Sequence, residues 1–119
     1  MKKIAIIAAA LLTSGPALAG DITGEWKRTD GRSRIRMAPC GDGVCGTITW
    51  LRDSNSPAQV GQQVFYGLRP SGGGWEGSAY NPEDGRTYEG KVTVSGRGMT
   101  TRGCAFGGVI CKSVNWTRL

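Results

Sequence analysis

The chain has 119 residues, with 15 Lys or Arg against 9 Asp or Glu, no histidine, and a net charge of +6. Without imidazole the usual general base at neutral pH and the commonest metal ligand are missing, and Ser-His-Asp and Cys-His catalysis are excluded. Glycine is abundant, at 20 residues, and no apolar stripe of helical period runs for ten residues, which argues against a helical domain.

The first segment has the grammar of a secretory signal peptide. Lys2 and Lys3 precede the unbroken apolar run Ile4 to Leu12; Thr13 to Pro16 break it, and Ala17-Leu18-Ala19 is a small-x-small cleavage site. The run is too short to span a bilayer, which takes about 20 apolar residues. Cleavage is expected after Ala19, giving a signal peptide over 1–19 and one domain over 20–119. No Cys follows the run, so a lipid-anchored N-terminus is not expected. No second apolar stretch exists, so no transmembrane segment is expected in the mature chain. Losing Lys2 and Lys3 leaves 13 basic residues against the 9 acidic ones, a net charge of +4. The expected location is the periplasm or the medium of a cell with a Gram-negative-type envelope.

Short alternating runs bounded by Gly, Asp and Pro follow, the pattern of an all-β domain of about eight strands. The first predicted strand, Ile22 to Arg28, ends at Asp30-Gly31, a strong hairpin signal. In the second, Arg32 to Ala38, Ser33, Ile35 and Met37 alternate with Arg32, Arg34 and Arg36, placing one face in the core and one in water. Cys45 to Leu51 is the third, and Arg52 to Gly61 a loop, the least ordered stretch expected. Gln63 to Arg69 and Trp75 to Tyr80 flank a Pro-Ser-Gly-Gly-Gly break. Asn81-Pro82-Glu83-Asp84-Gly85 forms a turn. Arg86 to Val94 is the sixth strand, with Tyr88, Val92 and Val94 on one face, and Met99 to Phe106 and Val109 to Arg118 complete the set. Short connections make neighbours antiparallel, so an up-and-down meander closing into a barrel is expected; a two-sheet sandwich is the alternative.

Cys40, Cys45, Cys104 and Cys111 form an even set, read as disulfides in a secreted chain. Local spacing favours Cys40–Cys45 and Cys104–Cys111. A Gly107-Gly108 turn that pairs Phe106 with Val109 brings Cys104 opposite Cys111, although at a hydrogen-bonded pair position, where side chains stand further apart. A bridge from Cys40 or Cys45 to the C-terminal hairpin stays open, and a zinc site is a weaker alternative because the spacings do not match a zinc knuckle.

Gly24-Glu25-Trp26 on the first strand and Arg118 on the last resemble the lipocalin-like (calycin) barrels. There, a Gly-x-Trp tryptophan packs against an arginine and closes one barrel end. More specifically, the chain resembles the bacterial secreted family called domain of unknown function 2147. The matching stretches are Gly24-Glu25-Trp26 through Asp30-Gly31, Arg34-Ile35, Pro39-Cys40-Gly41 with Cys45-Gly46, Tyr80 to Tyr88, Arg102-Gly103-Cys104 and Trp116-Thr117-Arg118. The resemblance implies a lipocalin-like barrel closed by a Trp26–Arg118 pair, and no activity. Arg52 to Gly73 carries no motif of the family.

Three constellations could carry function. The Arg32, Arg34, Arg36 row could grip an anionic envelope component, or be only a solvated face; secretion disfavours nucleic acid as the anion. Trp50, Trp75 and Tyr88 could line a pocket for a small amphipathic ligand, or fill the core with the other aromatics. Glu83 and Asp84 are adjacent carboxylates, best read as turn residues, because acid–base work needs an enclosed site and one raised pKa. The reading is a monomeric binding barrel without cofactor, metal or catalysis. An envelope interaction or structural protein with a basic outer face is the alternative, and a carboxylate- or tyrosine-dependent hydrolase a weaker one.

Overall fold

A computed structural model describes residues 22–119; the expected signal peptide and its cleavage site lie outside the described residues. Eight strands run β1 Gly24–Arg28, β2 Ser33–Cys40, β3 Gly43–Leu51, β4 Gln63–Ser71, β5 Gly74–Asn81, β6 Arg86–Ser95, β7 Gly98–Ala105 and β8 Ile110–Arg118. They pair in sequence order, all antiparallel, and β1 pairs with β8 to close a barrel. The meander follows from turn chemistry: each connection except β3–β4 is a tight turn. Closure leaves no free sheet edge.

Inward and outward residues alternate as the sequence predicts. Ser33, Ile35 and Met37 are buried on β2, and Val92 on β6. A bulge after Arg34 pairs Arg34 with Trp50 and Ile35 with Ile48. It keeps Trp50 on the outside while Leu51 packs against the core.

The core is uneven along the barrel axis. Chain direction places Met37, Val44, Leu68, Trp75, Val92 and Met99 in the half where β2 ends and β3 begins, and all six are buried. Trp26 and Ile22, both fully buried, complete that half. The other half carries Ala79 and Gly103 on its inner wall, which are small.

Two expectations at the C-terminal hairpin are adjusted. β7 ends at Ala105, so Phe106 to Val109 form a four-residue turn, closed by Gly108 N–H donating to the Ala105 carbonyl at 3.2 Å. The pairing of Cys104 opposite Cys111 stands, with Cα atoms 4.1 Å apart. That is the closer of the two spacings in an antiparallel ladder; the wider turn shifts the hydrogen-bonding phase by one residue, which removes the objection to this bridge. Cys40 and Cys45 form the second disulfide, 5.8 Å apart at Cα. With all four thiols paired, neither the long-range bridge nor the zinc site is formed. Loops this short stabilise by about 2 kcal/mol each in the chain-entropy model.

The β3–β4 connection is better held than its composition suggests. Asp53 accepts from the Asn55 amide, and Ser56 accepts from the Ala58 amide. Gly61 N–H donates to the Ile48 carbonyl at 2.8 Å, and Ile48 N–H to the Gln62 carbonyl at 2.9 Å. Ala58 packs against the core.

Candidate functional site: a one-ended cavity

One end of the barrel is sealed by the residues of the Gly-x-Trp motif. The Trp26 indole is fully buried, and its Nε1–H donates to the Ile22 carbonyl at 3.0 Å. The Arg118 guanidinium lies 4.2 Å from the indole centroid. Its Nη1 donates to the Thr23 carbonyl at 2.9 Å. Gly24 makes this approach possible: its φ is +124°, and a Cβ there would lie 3.3 Å from Arg118 Nη1. Arg97 crosses from the β6–β7 turn and donates to the Arg118 carbonyl at 2.7 Å. The pair thus lies where the sequence resemblance puts it, with the positive charge set over the indole face.

The opposite end is open. The β1–β2, β3–β4, β5–β6 and β7–β8 connections all gather there, around a cavity of about 930 Å³. Ile35, Ile48, Val64, Phe65, Val114 and Trp116 supply apolar wall. Trp116 is buried, and its Nε1–H is satisfied by the Thr101 hydroxyl at 2.9 Å. The space exists because the facing wall is small. Ala79, Gly103 and Ala105 line it where larger residues would fill it. The atoms nearest a Cβ at Gly103 would be Tyr88 Cβ at 3.6 Å and Tyr88 Cγ and Ala79 Cβ at 4.0 Å, ordinary contact distances, so a methyl group is tolerated sterically.

The rim is mixed in charge, with a cationic excess. Arg28, Arg32, Arg52, Arg102 and Lys112 line the cavity, against Asp53, Glu83 and Asp84. Asp30 organises one side: its carboxylate lies 3.0 Å from Arg28 Nε and 3.7 Å from Arg32 Nε. Arg52 Nη1 donates to the Asp30 carbonyl at 3.3 Å.

On the other side the Tyr88 hydroxyl donates to the Asp84 carboxylate. Asp84 also accepts from the Arg86 amide, and Asn81 from the Glu83 amide, so the turn is pinned internally. The Tyr88 hydroxyl first, then the Arg86 amide, hold the Asp84 carboxyl below its ordinary value of 3.8. The same hydrogen bond, with some burial, raises the Tyr88 phenol above its ordinary 10.0. The two shifts have opposite signs in linkage. The Asp84 contribution is present above 3.8 and is lost as pH falls through its lowered folded value. The Tyr88 contribution is present below 10.0 and is lost as pH rises through its raised folded value. A spectroscopic titration of the phenolate band should therefore show Tyr88 ionising above its ordinary value, and Asp84→Asn should bring it down. An unmoved Tyr88 titration in that variant would remove the pair from the account.

The remaining candidate residues are dispersed. Of the three aromatics considered for a pocket, only Tyr88 lines the cavity. Trp75 is buried in the sealed half, while Trp50 is on the outer surface under Arg34, whose guanidinium carbon is 5.1 Å from the ring centroid. The arginine row is divided among three neighbours. Arg32 belongs to the cavity rim; Arg34 stacks on Trp50; Arg36 pairs with Glu25 at 3.1 Å. Arg34 Nε is buried without a hydrogen-bond partner. Residues that sequence reasoning missed include Arg52, Lys112 and the small wall residues. Ala79 and Gly103 carried a usable signal, since both sit at inward-facing positions of predicted strands.

A closed, eight-stranded, antiparallel up-and-down barrel, sealed at one end by a Trp–Arg pair and open at the other, is a lipocalin-like barrel. Among solved structures it is similar to one described as "Protein HP1028 from the human pathogen Helicobacter pylori belongs to the lipocalin family", with TM-score 0.68, 18% identity and 82% of each chain covered. The chain belongs to the bacterial family described as "Uncharacterized protein conserved in bacteria (DUF2147)", whose model matches residues 24–118. No curated protein matches it.

Proposed function

We propose that this protein binds one small amphipathic molecule in its open-ended cavity, apolar part inward and polar or anionic head at the rim, without chemistry on it. The observation that carries this reading is the cavity itself. Its volume of about 930 Å³ suits a small ligand, and it combines a wall of Ile35, Ile48, Phe65 and Trp116 with a rim of Arg28, Arg32, Arg52 and Lys112. The site of action is the periplasm or beyond, after signal cleavage at Ala19. The two disulfides support an oxidising compartment.

A carboxyl general acid needs a raised pKa, and Asp84 at the rim is shifted the other way, which does not suit it to that role. The outer-face alternative rests on Lys27, Arg34 and Trp50, which share a row across β1, β2 and β3. Its charge is reduced next door, where Glu25 neutralises Arg36.

The test starts with native mass spectrometry of the oxidised mature chain purified from the periplasm. Titration with anilinonaphthalene sulfonate, an amphipathic anion, follows. Gly103→Leu should narrow the cavity beside Tyr88 and Ala79 and weaken dye binding with the circular dichroism of the barrel retained. Equal binding by the narrowed variant would place the dye away from this wall and sink the cavity reading. So would a wild-type protein that carries no co-purifying mass and binds no dye.

A further inference from the structure

The open end carries an apolar tip that the barrel does not need. Phe106, Val109 and Ile110 are 78%, 82% and 58% exposed, in the four-residue β7–β8 turn and at the first position of β8. Tight turns ordinarily carry Gly, Asn, Asp or Ser, and here the two central glycines are flanked by Phe and Val instead. Phe106 even takes a φ of 53°, a left-handed conformation that a bulky side chain rarely adopts. The Cys104–Cys111 disulfide ties the two strands at the base of this turn. The tip is therefore an apolar group held out on a covalently stapled hairpin, in a conformation that asparagine or glycine would adopt more easily.

We infer that this tip docks the open end of the barrel onto the interface of an anionic lipid bilayer, with Phe106 and Val109 entering the headgroup–acyl boundary. Three observations select a bilayer as the occupant. First, the patch is small: three side chains are far from the roughly 20–30 residues a side that a stable protein–protein interface takes, whereas a bilayer receives a small apolar insertion. Second, exposed Arg102 and Lys112 lie on the two strands leading from the tip. Arg86 lines the groove beside Phe106 and Ile110, with Glu89 its one acidic member. Apolar tips flanked by long cationic side chains suit an anionic headgroup layer. Third, Ile110 lines both that groove and the main cavity. Apolar surface is thus continuous from the tip into the barrel, and an amphiphile leaving the bilayer at the tip would reach the cavity along it. This last point rests on the ligand-binding reading above; the docking itself does not.

The test is flotation of the oxidised mature protein with vesicles. Two compositions serve: phosphatidylethanolamine with phosphatidylglycerol, and phosphatidylcholine alone. The wild type should float with the anionic vesicles, and float less as salt is raised. Phe106→Asn combined with Val109→Ser removes both apolar side chains and gives position 106 a residue suited to its φ. This variant should lose at least tenfold in bound fraction while keeping its melting temperature and its dye binding in the cavity. Gly103→Leu should float like the wild type, so that loss of cavity binding and loss of docking are read separately. Docking is overturned if the wild type floats with neither composition, or if the tip variant floats as well as the wild type. A concentration-dependent dimer in sedimentation velocity, abolished by the tip substitutions, would overturn it in favour of a second copy as the occupant.

Discussion

Trp26→Ala should cost about 3–5 kcal/mol, the range for removing a large aromatic from a packed core. For a domain of about 100 residues, with a total stability of about 5–15 kcal/mol, that is about a fifth of the stability or more. A lowering of the melting temperature by about 15–25 °C should follow. The effect has separable parts. Trp26 is fully buried, so truncation leaves a cavity in the sealed half. It also leaves the Ile22 carbonyl without its indole donor and the Arg118 guanidinium without the ring beneath it. Trp26→Phe keeps most of the volume and should cost only about 1–2 kcal/mol, chiefly the lost hydrogen bond and a weaker cation–π contact. A double-mutant cycle of Trp26→Leu with Arg118→Met, in which neither single variant keeps a cation–π contact, isolates the pair, with an expected coupling of about 0.5–2 kcal/mol. If Trp26→Ala melts within about 5 °C of the wild type, the sealed end is not what holds the barrel closed.

Gly77→Ala should be the second most damaging of the substitutions considered. A Cβ at Gly77 would lie 2.4 Å from the Tyr66 carbonyl oxygen and 2.8 Å from that of Gly67. Both obstacles are backbone, so no rotamer change relieves them. The cause is the irregularity in β4 between Tyr66 and Arg69, where Gly67 takes a φ of +55° and the β4 carbonyls crowd β5. The strands must separate, at a cost of about 3 kcal/mol, the upper part of the range for overpacking. Gly103→Ala is the matched control. Its nearest contact, Tyr88 Cβ, lies at 3.6 Å, an ordinary van der Waals distance. Chemical denaturation of the two variants should therefore separate them clearly. Equal midpoints would show that the β4–β5 approach is not tight.

Local chemistry was enough to read much of this molecule. Asp30-Gly31, the glycine run after Pro70, Asn81 to Gly85 and Ser95 to Gly98 mark four of the turns, because positive φ and a preset proline φ are properties of single residues. Alternation along β2 and β6 assigned the inner face, because pleating gives a strict period of two. Cys104 could be set opposite Cys111 because a symmetric hairpin keeps its register whether its turn has two residues or four.

What needed the tertiary structure was whatever depends on residues brought together from distant strands. The middle segment 52–62 offered no motif, yet it helps to build the cavity mouth, since its order comes from hydrogen bonds to β3 and within itself. The arginine row is regular in sequence, but Asp30, Trp50 and Glu25 divide it among three neighbours. Of the three aromatic residues suggested for a pocket, Tyr88 lines it, whereas Trp75 is buried in the sealed half and Trp50 lies outside. The hollow is lined by the small Ala79 and Gly103 together with Phe65, the cross-strand neighbour of Ala79, and Trp116. A cavity is the difference between the volume enclosed by the backbone and the volume of the inward side chains. Strand order, bulges and the axial position of each residue set that difference, and none of these is a property of any one segment.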